Sequence, residues 1–163
     1  MRIRPQLEHP AQGIASAFLR AIAEDDAVAV FERLSQRTRG LLEGLHAARS
    51  GGVLASDRDV AAVVAPLRAS VVATLGGVER IGRFGVSGAR VVDRHTAYVL
   101  LLPDVEKEGL LRPEDWRPAH LLAFVQESSA RGGPGGAEWV VDLERTAALS
   151  ADAELPDPLG SVA

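Results

Sequence analysis

The stretch VVDRHTAYVLLL, Val91 to Leu102, constrains what this chain can fold into more than any other. Branched and aromatic residues dominate it, and these fit the pleated, half-buried surface of a sheet. Towards Leu102 both faces of such a strand are apolar, so that end reads as buried on both sides. A strand of this kind needs neighbours. Two more strand-like runs follow, from Ala119 to Ser128 and from Glu138 to Arg145, the last within AEWVVDLERT. A weaker one, Val78 to Val86, precedes it and is interrupted by Gly82 and Gly85, as at bulges. Together they predict one antiparallel sheet, with a turn at Ser87-Gly88-Ala89 and a flexible hairpin connection at RGGPGG.

Before Gly76 the apolar period is helical. Ile14, Phe18, Leu19 and Ile22 predict an amphipathic helix over Ala11 to Glu24. Asp26 fits an N-cap for a second, shorter helix that buries Val28, Phe31 and Leu34. Ser35 fits the cap of a third over Gln36 to Arg49, with Leu41, Leu42 and Leu45 inward and Ser50-Gly51-Gly52 as its stop. Ser56 and Asp59 form an Asp variant of the capping box before a helix from Asp57 to Leu75, which Pro66 should kink or break. The expected organisation is an arm over residues 1–10, a single α+β domain over 11–146 and a polar, poorly ordered tail over 147–163. The predicted fold class is α+β, with N-terminal helices packed on a curved antiparallel sheet of four or more strands.

At 163 residues the chain is long enough to bury a core without staples. With no cysteine, disulfides, thiolate metal sites and cysteine nucleophiles are excluded. The net charge of −4 and the scattered arginines argue against a nucleic-acid surface, including a helix-turn-helix reading of Arg37 to Arg39. No apolar run reaches the roughly 20 residues of a membrane span, and MRIRPQLEHP lacks the apolar core of a secretory signal, so a cytoplasmic protein is expected. His9, His46, His95 and His120 show no ligand spacing of three or four, and no metal is expected. RGGPGG lacks the Lys-Ser/Thr of a phosphate loop, and there is no Gly-x-Ser-x-Gly elbow.

The order of elements resembles the nuclear-transport-factor-2-like superfamily, the cone-shaped fold shared by ketosteroid isomerase, polyketide cyclase and limonene epoxide hydrolase. The likeness covers about residues 11 to 146. It rests on the first helix running into Glu24-Asp25-Asp26, on GARVVDRHTAYVLLL and on the ending AEWVVDLERT. The resemblance implies a curved sheet wrapped around a long helix, with a pocket at the wide end of the cone. Isomerase-type chemistry needs a carboxylate base and a Tyr that donates to an oxyanion. Here the first helix has no Tyr, and the only one, Tyr98, lies on a strand. Family epoxide hydrolysis uses two carboxylates and an Arg around a water. Asp93, Arg94 and Asp142 supply those types, but adjacent strand residues face opposite ways.

Strand parity sorts the candidates. Read as one strand, Asp93, His95, Ala97, Val99 and Leu101 share a face, and Arg94, Thr96, Tyr98, Leu100 and Leu102 the other. His95 reads as a general base or as a rim histidine. His120 shares parity with Leu122, Phe124 and Gln126 and reads as a pocket group or as a half-buried strand-start histidine. Tyr98 reads as a pocket donor or a core aromatic. Asp142 reads as a site carboxylate or as solvent-facing, because Trp139, Val141 and Leu143 take the apolar face. Trp139 reads as core, whereas Trp116, in the charged connection Val105 to Pro118, reads as part of a lid. Tyr98, Trp116 and Phe124 are the expected ligand contacts. The leading expectation is a non-catalytic module that binds an apolar small molecule or a protein partner, without a cofactor, and is homodimeric through the sheet. The alternative is a cofactor-free isomerase, cyclase or hydrolase using some of Asp93, His95, Tyr98, His120 and Asp142.

Overall fold

Helix α1, Pro10–Ala23, begins with an unusual cap: the His9 ring accepts from the Ala11 amide at 3.1 Å. Its buried stripe is Ala11, Ala15, Phe18, Leu19 and Ile22, the spacing of one helix face. In the computed structural model, which describes residues 9–52, 54–103, 119–128 and 137–160, this helix is central and touches β- and α-elements on both flanks. Asp25, at φ 56°, turns the chain, and Asp26 caps α2, Ala27–Glu32, by accepting from the Ala29 amide. Ser35 caps α3, Gln36–Ser50, and Gly51 ends it in the left-handed conformation. Of the three leucines expected inward on α3, Leu42 is buried and Leu45 half-buried, but Leu41 is 42% exposed.

Ser56 caps α4, Asp57–Leu75, while Asp59 reaches back to the Ala55 amide at 3.0 Å. Of the kink or break expected at Pro66, the break does not occur: the helix runs through it. Val63, Val64, Leu67, Val71 and Leu75 are buried on both sides of Pro66, so core packing outweighs one lost amide bond. From α4, Arg68 donates to the Ile22 carbonyl at 2.8 Å and pairs with Asp25 at 3.2 Å, satisfying the carboxyl end of α1.

The expected strand over Val78 to Val86 is mostly a helical turn. After Gly76 and Gly77, both at positive φ, α5 spans Val78–Ile81, and only Gly85–Val86 is extended, as β1. The run from Val91 to Leu102 is also not one strand. It is a hairpin of β2, Arg90–Asp93, and β3, Thr96–Leu102, joined at Arg94 and His95. The expected turn at Ser87-Gly88-Ala89 instead interrupts an edge strand. Both β1 and β2 pair with β3, and the Ser87 hydroxyl takes the Leu100 amide at 2.8 Å where the ladder lapses.

Beyond β3 the sheet continues through β4, His120–Ser128, and β5, Ala137–Val141, all antiparallel. The expected last strand ends early. Asp142 caps a helix, α6, Leu143–Asp152, which occupies the predicted end of the strand and the start of the predicted tail. Instead of a poorly ordered tail, the chain beyond α6 folds back to bury Leu159 in the main core. The arrangement is α+β: helices followed by a curled antiparallel half-barrel. Of the expected arm over 1–10, His9 and Pro10 instead begin α1 and residues 1–8 lie outside the described residues, as do the lid over 105–118 and the RGGPGG connection.

Candidate functional site

The pairing register decides which side chains can meet. Leu101 lies opposite His120, Val99 opposite Leu122, and Ala97 opposite Phe124, which in turn lies opposite Val141. These positions share the face that packs on α1 and α4. Val99, Leu101, Leu122, Phe124 and Val141 belong to one cluster with Phe18, Ile22, Leu67 and Val71. Trp139 packs against the same cluster and makes a T-shaped contact with the His9 ring at 4.8 Å between centroids. Thus the expected ligand contact Phe124 is a fully buried core residue. Tyr98 lies opposite Ala123, on the other face, and is half-buried. Trp116 is outside the described residues.

The hairpin removes Asp93 and His95 from any interior. Both are exposed at its turn, where the His95 amide donates to Asp93 at 2.8 Å. That amide holds the Asp93 carboxyl below its ordinary 3.8. The face-sharing of Asp93 and His95 with Val99 and Leu101, expected from one strand, therefore does not occur. The turn breaks the alternation.

Asp142 is not solvent-facing. It is buried, and both of its oxygens are used. One accepts from the Ser35 hydroxyl at 2.6 Å and the other from the Arg145 amide at 2.8 Å. Ser35 and Thr38 hydroxyls lie 2.9 Å apart, and Thr38 accepts from the Leu143 amide at 3.0 Å. One hydroxyl carries one proton, so the consistent order is Leu143 amide to Thr38, Thr38 to Ser35, and Ser35 to Asp142. This relay caps α3 and α6 against each other, and nothing in it is left to act on a ligand.

His120 is the one candidate that the structure leaves both buried and incompletely satisfied. It stands at the start of β4, 6% exposed, with the Phe84 ring 6.2 Å away. The Pro156 carbonyl faces the ring, and Nδ1 is buried with no hydrogen-bond partner. The carbonyl contact therefore runs through Nε2–H, which leaves Nδ1 as a bare acceptor. Burial pulls the imidazole below its ordinary 6.5, against the opposing pull of Pro156. Nearby in sequence, burial pushes the Asp157 carboxyl up, and the Leu159 amide opposes this. Phe84, Pro156 and Asp157 were not among the sequence candidates. Only the fold-back of the chain end brings Pro156 to His120.

Elsewhere, a groove of about 40 Å³ between α3 and α4 is lined by Leu42, Leu45, His46, Val63 and Pro66. It has room for a few waters, far below the several hundred Å³ of a drug-sized site. Among the described residues no group of three His, Cys, Asp or Glu could hold a metal ion. No helix among them is long and apolar enough to cross a membrane. No protein-family model, curated protein or solved structure matches the chain.

Proposed function

We propose that this chain is a non-catalytic binding module of the cone-shaped, nuclear-transport-factor-2-like kind, with an apolar small molecule as its ligand. One observation carries the reading: the groups that could have formed a catalytic set are dispersed. Asp93 and His95 sit in an exposed turn, Asp142 is committed to a helix cap, and Tyr98 lies across the sheet from His120. General acid–base catalysis needs such groups within hydrogen-bond reach of one another or of a shared substrate atom. The helices followed by a curled antiparallel sheet support the family reading. The outer sheet face, with Tyr98 and Leu100 half-buried and Leu102 exposed, is the surface that a second copy would use.

The test is incubation of the full chain with a panel of neutral apolar molecules. The expected result is a saturable rise in melting temperature, with the ligand recovered unaltered by mass spectrometry. No shift with any member removes the small-molecule reading. Light scattering that finds only monomer at micromolar concentration removes the second copy.

A cofactor-free enzyme is the second reading, favoured by the unpartnered nitrogen of His120 alone. It expects a chemically changed ligand and loss of that change in His120→Ala. Asp142→Ala cannot discriminate, because it breaks the helix cap.

A further inference from the structure

After α6 the chain crosses from the sheet to α4. The Leu155 amide bonds the Ser150 carbonyl at 2.9 Å, Pro156 presents its carbonyl to His120, and the Leu159 amide turns on Asp157 at 2.9 Å. Leu159 is fully buried in the cluster that also holds Leu101 and Leu122, and Ser70 of α4 donates to the Gly160 carbonyl. Leu159 is the segment's residue in the main cluster, with Pro158 buried beside it. Three features oppose the closure. Glu154 adopts φ 56°, a strained conformation for a residue with a side chain. Asp157 keeps a carboxyl where burial disfavours its charge. His120 keeps a buried acceptor with no donor. A short segment without helix or strand, held by two buried side chains and carrying such costs, belongs to the low-stability end of a native structure.

We propose that residues 153–160 are a plug, in the same chain, over a ligand site at the His120 end of the cone. Displacing the plug uncovers a floor of His120, Leu101 and Leu122 with Phe84 beside it. Leu159 holds the place of the ligand's apolar body. The ligand is an apolar molecule with one hydroxyl, which donates to His120 Nδ1. The class follows from the floor. With Pro156 displaced, the neutral imidazole presents one acceptor and one free N–H in an apolar wall, and such a wall selects a hydroxyl, which can donate and accept, over a molecule that lacks it. This deepens the binding-module reading and rests on it.

Two measurements test it. The first is native-state hydrogen exchange on the unaltered chain. The Leu155, Leu159 and Gly160 amides are expected to exchange about 100-fold faster than those of Leu122 and Phe124, through local opening. Exchange at the β4 rate overturns the plug, whatever binds. The second is titration with 2-naphthol and with naphthalene, which lacks the hydroxyl. The expectation is saturable binding that favours 2-naphthol, tightens about tenfold in Leu159→Ala, and loses its preference in His120→Phe. Binding that is indifferent to Leu159→Ala overturns the plug and leaves the binding module standing. Fast plug exchange without binding of either probe, in wild type or Leu159→Ala, overturns the site and the binding reading together. Should Leu159→Ala fail to fold, the exchange measurement on the unaltered chain still decides the plug.

Discussion

At the scale of single residues, the buried polar side chains tell structural roles from available ones. Ser35, Thr38 and Asp142 are each at most 3% exposed, yet every donor and acceptor in their relay has a partner. Removing one member leaves another unsatisfied in the interior. Ser35→Ala and Asp142→Ala should each lower unfolding free energy in urea by about 1–3 kcal/mol. The double variant should cost clearly less than the sum, because both break the same contact. Additive losses would mean that the two caps act independently. His120 differs because its Nδ1 has no partner at all. Burial lowers its affinity for a proton, so the folded chain binds fewer protons than the unfolded one just below the ordinary value of 6.5. The stability this residue contributes is full above 6.5 and is lost as pH falls towards the lowered value. Asp157 has the opposite sign: its raised value favours the folded chain at low pH, and that contribution fades as pH rises above the carboxylate range. Between about pH 7 and pH 5, urea midpoints should therefore fall, and His120→Gln should flatten that fall. A slope unchanged in His120→Gln would assign the pH dependence to other groups.

At the scale of elements, the edges of the sheet are handled by different means. At one edge, β2 is four residues long, all of them exposed, and a register shift falls between Val91 and Asp93. Short, bulged edges resist pairing with other chains. The same bulge serves the turn. Neither Arg94 nor His95 has positive φ, so the tight connection is not of the primed type whose twist matches its strands. The extra twist of a bulge absorbs that mismatch. At the other edge β5 stops at Val141, and α6 runs on beside β4. Thr146 accepts the Ala123 amide at 3.0 Å, the bond that a longer β5 would otherwise receive. Thr146→Val keeps the shape and removes only this acceptor. It should lower stability by about 1–2 kcal/mol, and hydrogen exchange should show the loss first at Ala123. No change at Ala123 would mean that another acceptor replaces Thr146.

At the scale of the whole molecule, local chemistry in the sequence located the helices and their caps. Asp26, Ser35 and Ser56 each accept the amide three residues on, as side chains of that kind do at helix starts. The run Ala119 to Ser128 is found almost unchanged as β4, because nine residues with apolar neighbours on both faces leave little alternative. The hairpin inside Val91 to Leu102 carried one weak signal, Asp93, whose side chain bonds the amide two residues on as Asp does in turns. Asp-Arg-His-Thr contains no Gly, Pro or Asn to strengthen it against the strand pattern on either side. Asp142 was hidden for another reason: Trp139, Val140 and Val141 run into it as a strand, and although its cap bond to the Arg145 amide is local, its burial depends on Ser35, 107 positions away, which takes its other oxygen. The candidate site shows the same division. The sequence by itself determined that His120 shares a face with Leu122 and Phe124, because strand alternation is a local rule. The departure of Asp93 and His95 from that face follows from a local turn. Only the tertiary structure decided that Ser35 takes the second oxygen of Asp142 and that the chain end folds back to bring Pro156 to His120 and Leu159 into the core. Those last outcomes depend on contacts between residues far apart in the chain, which compete with local preference and here outweigh it.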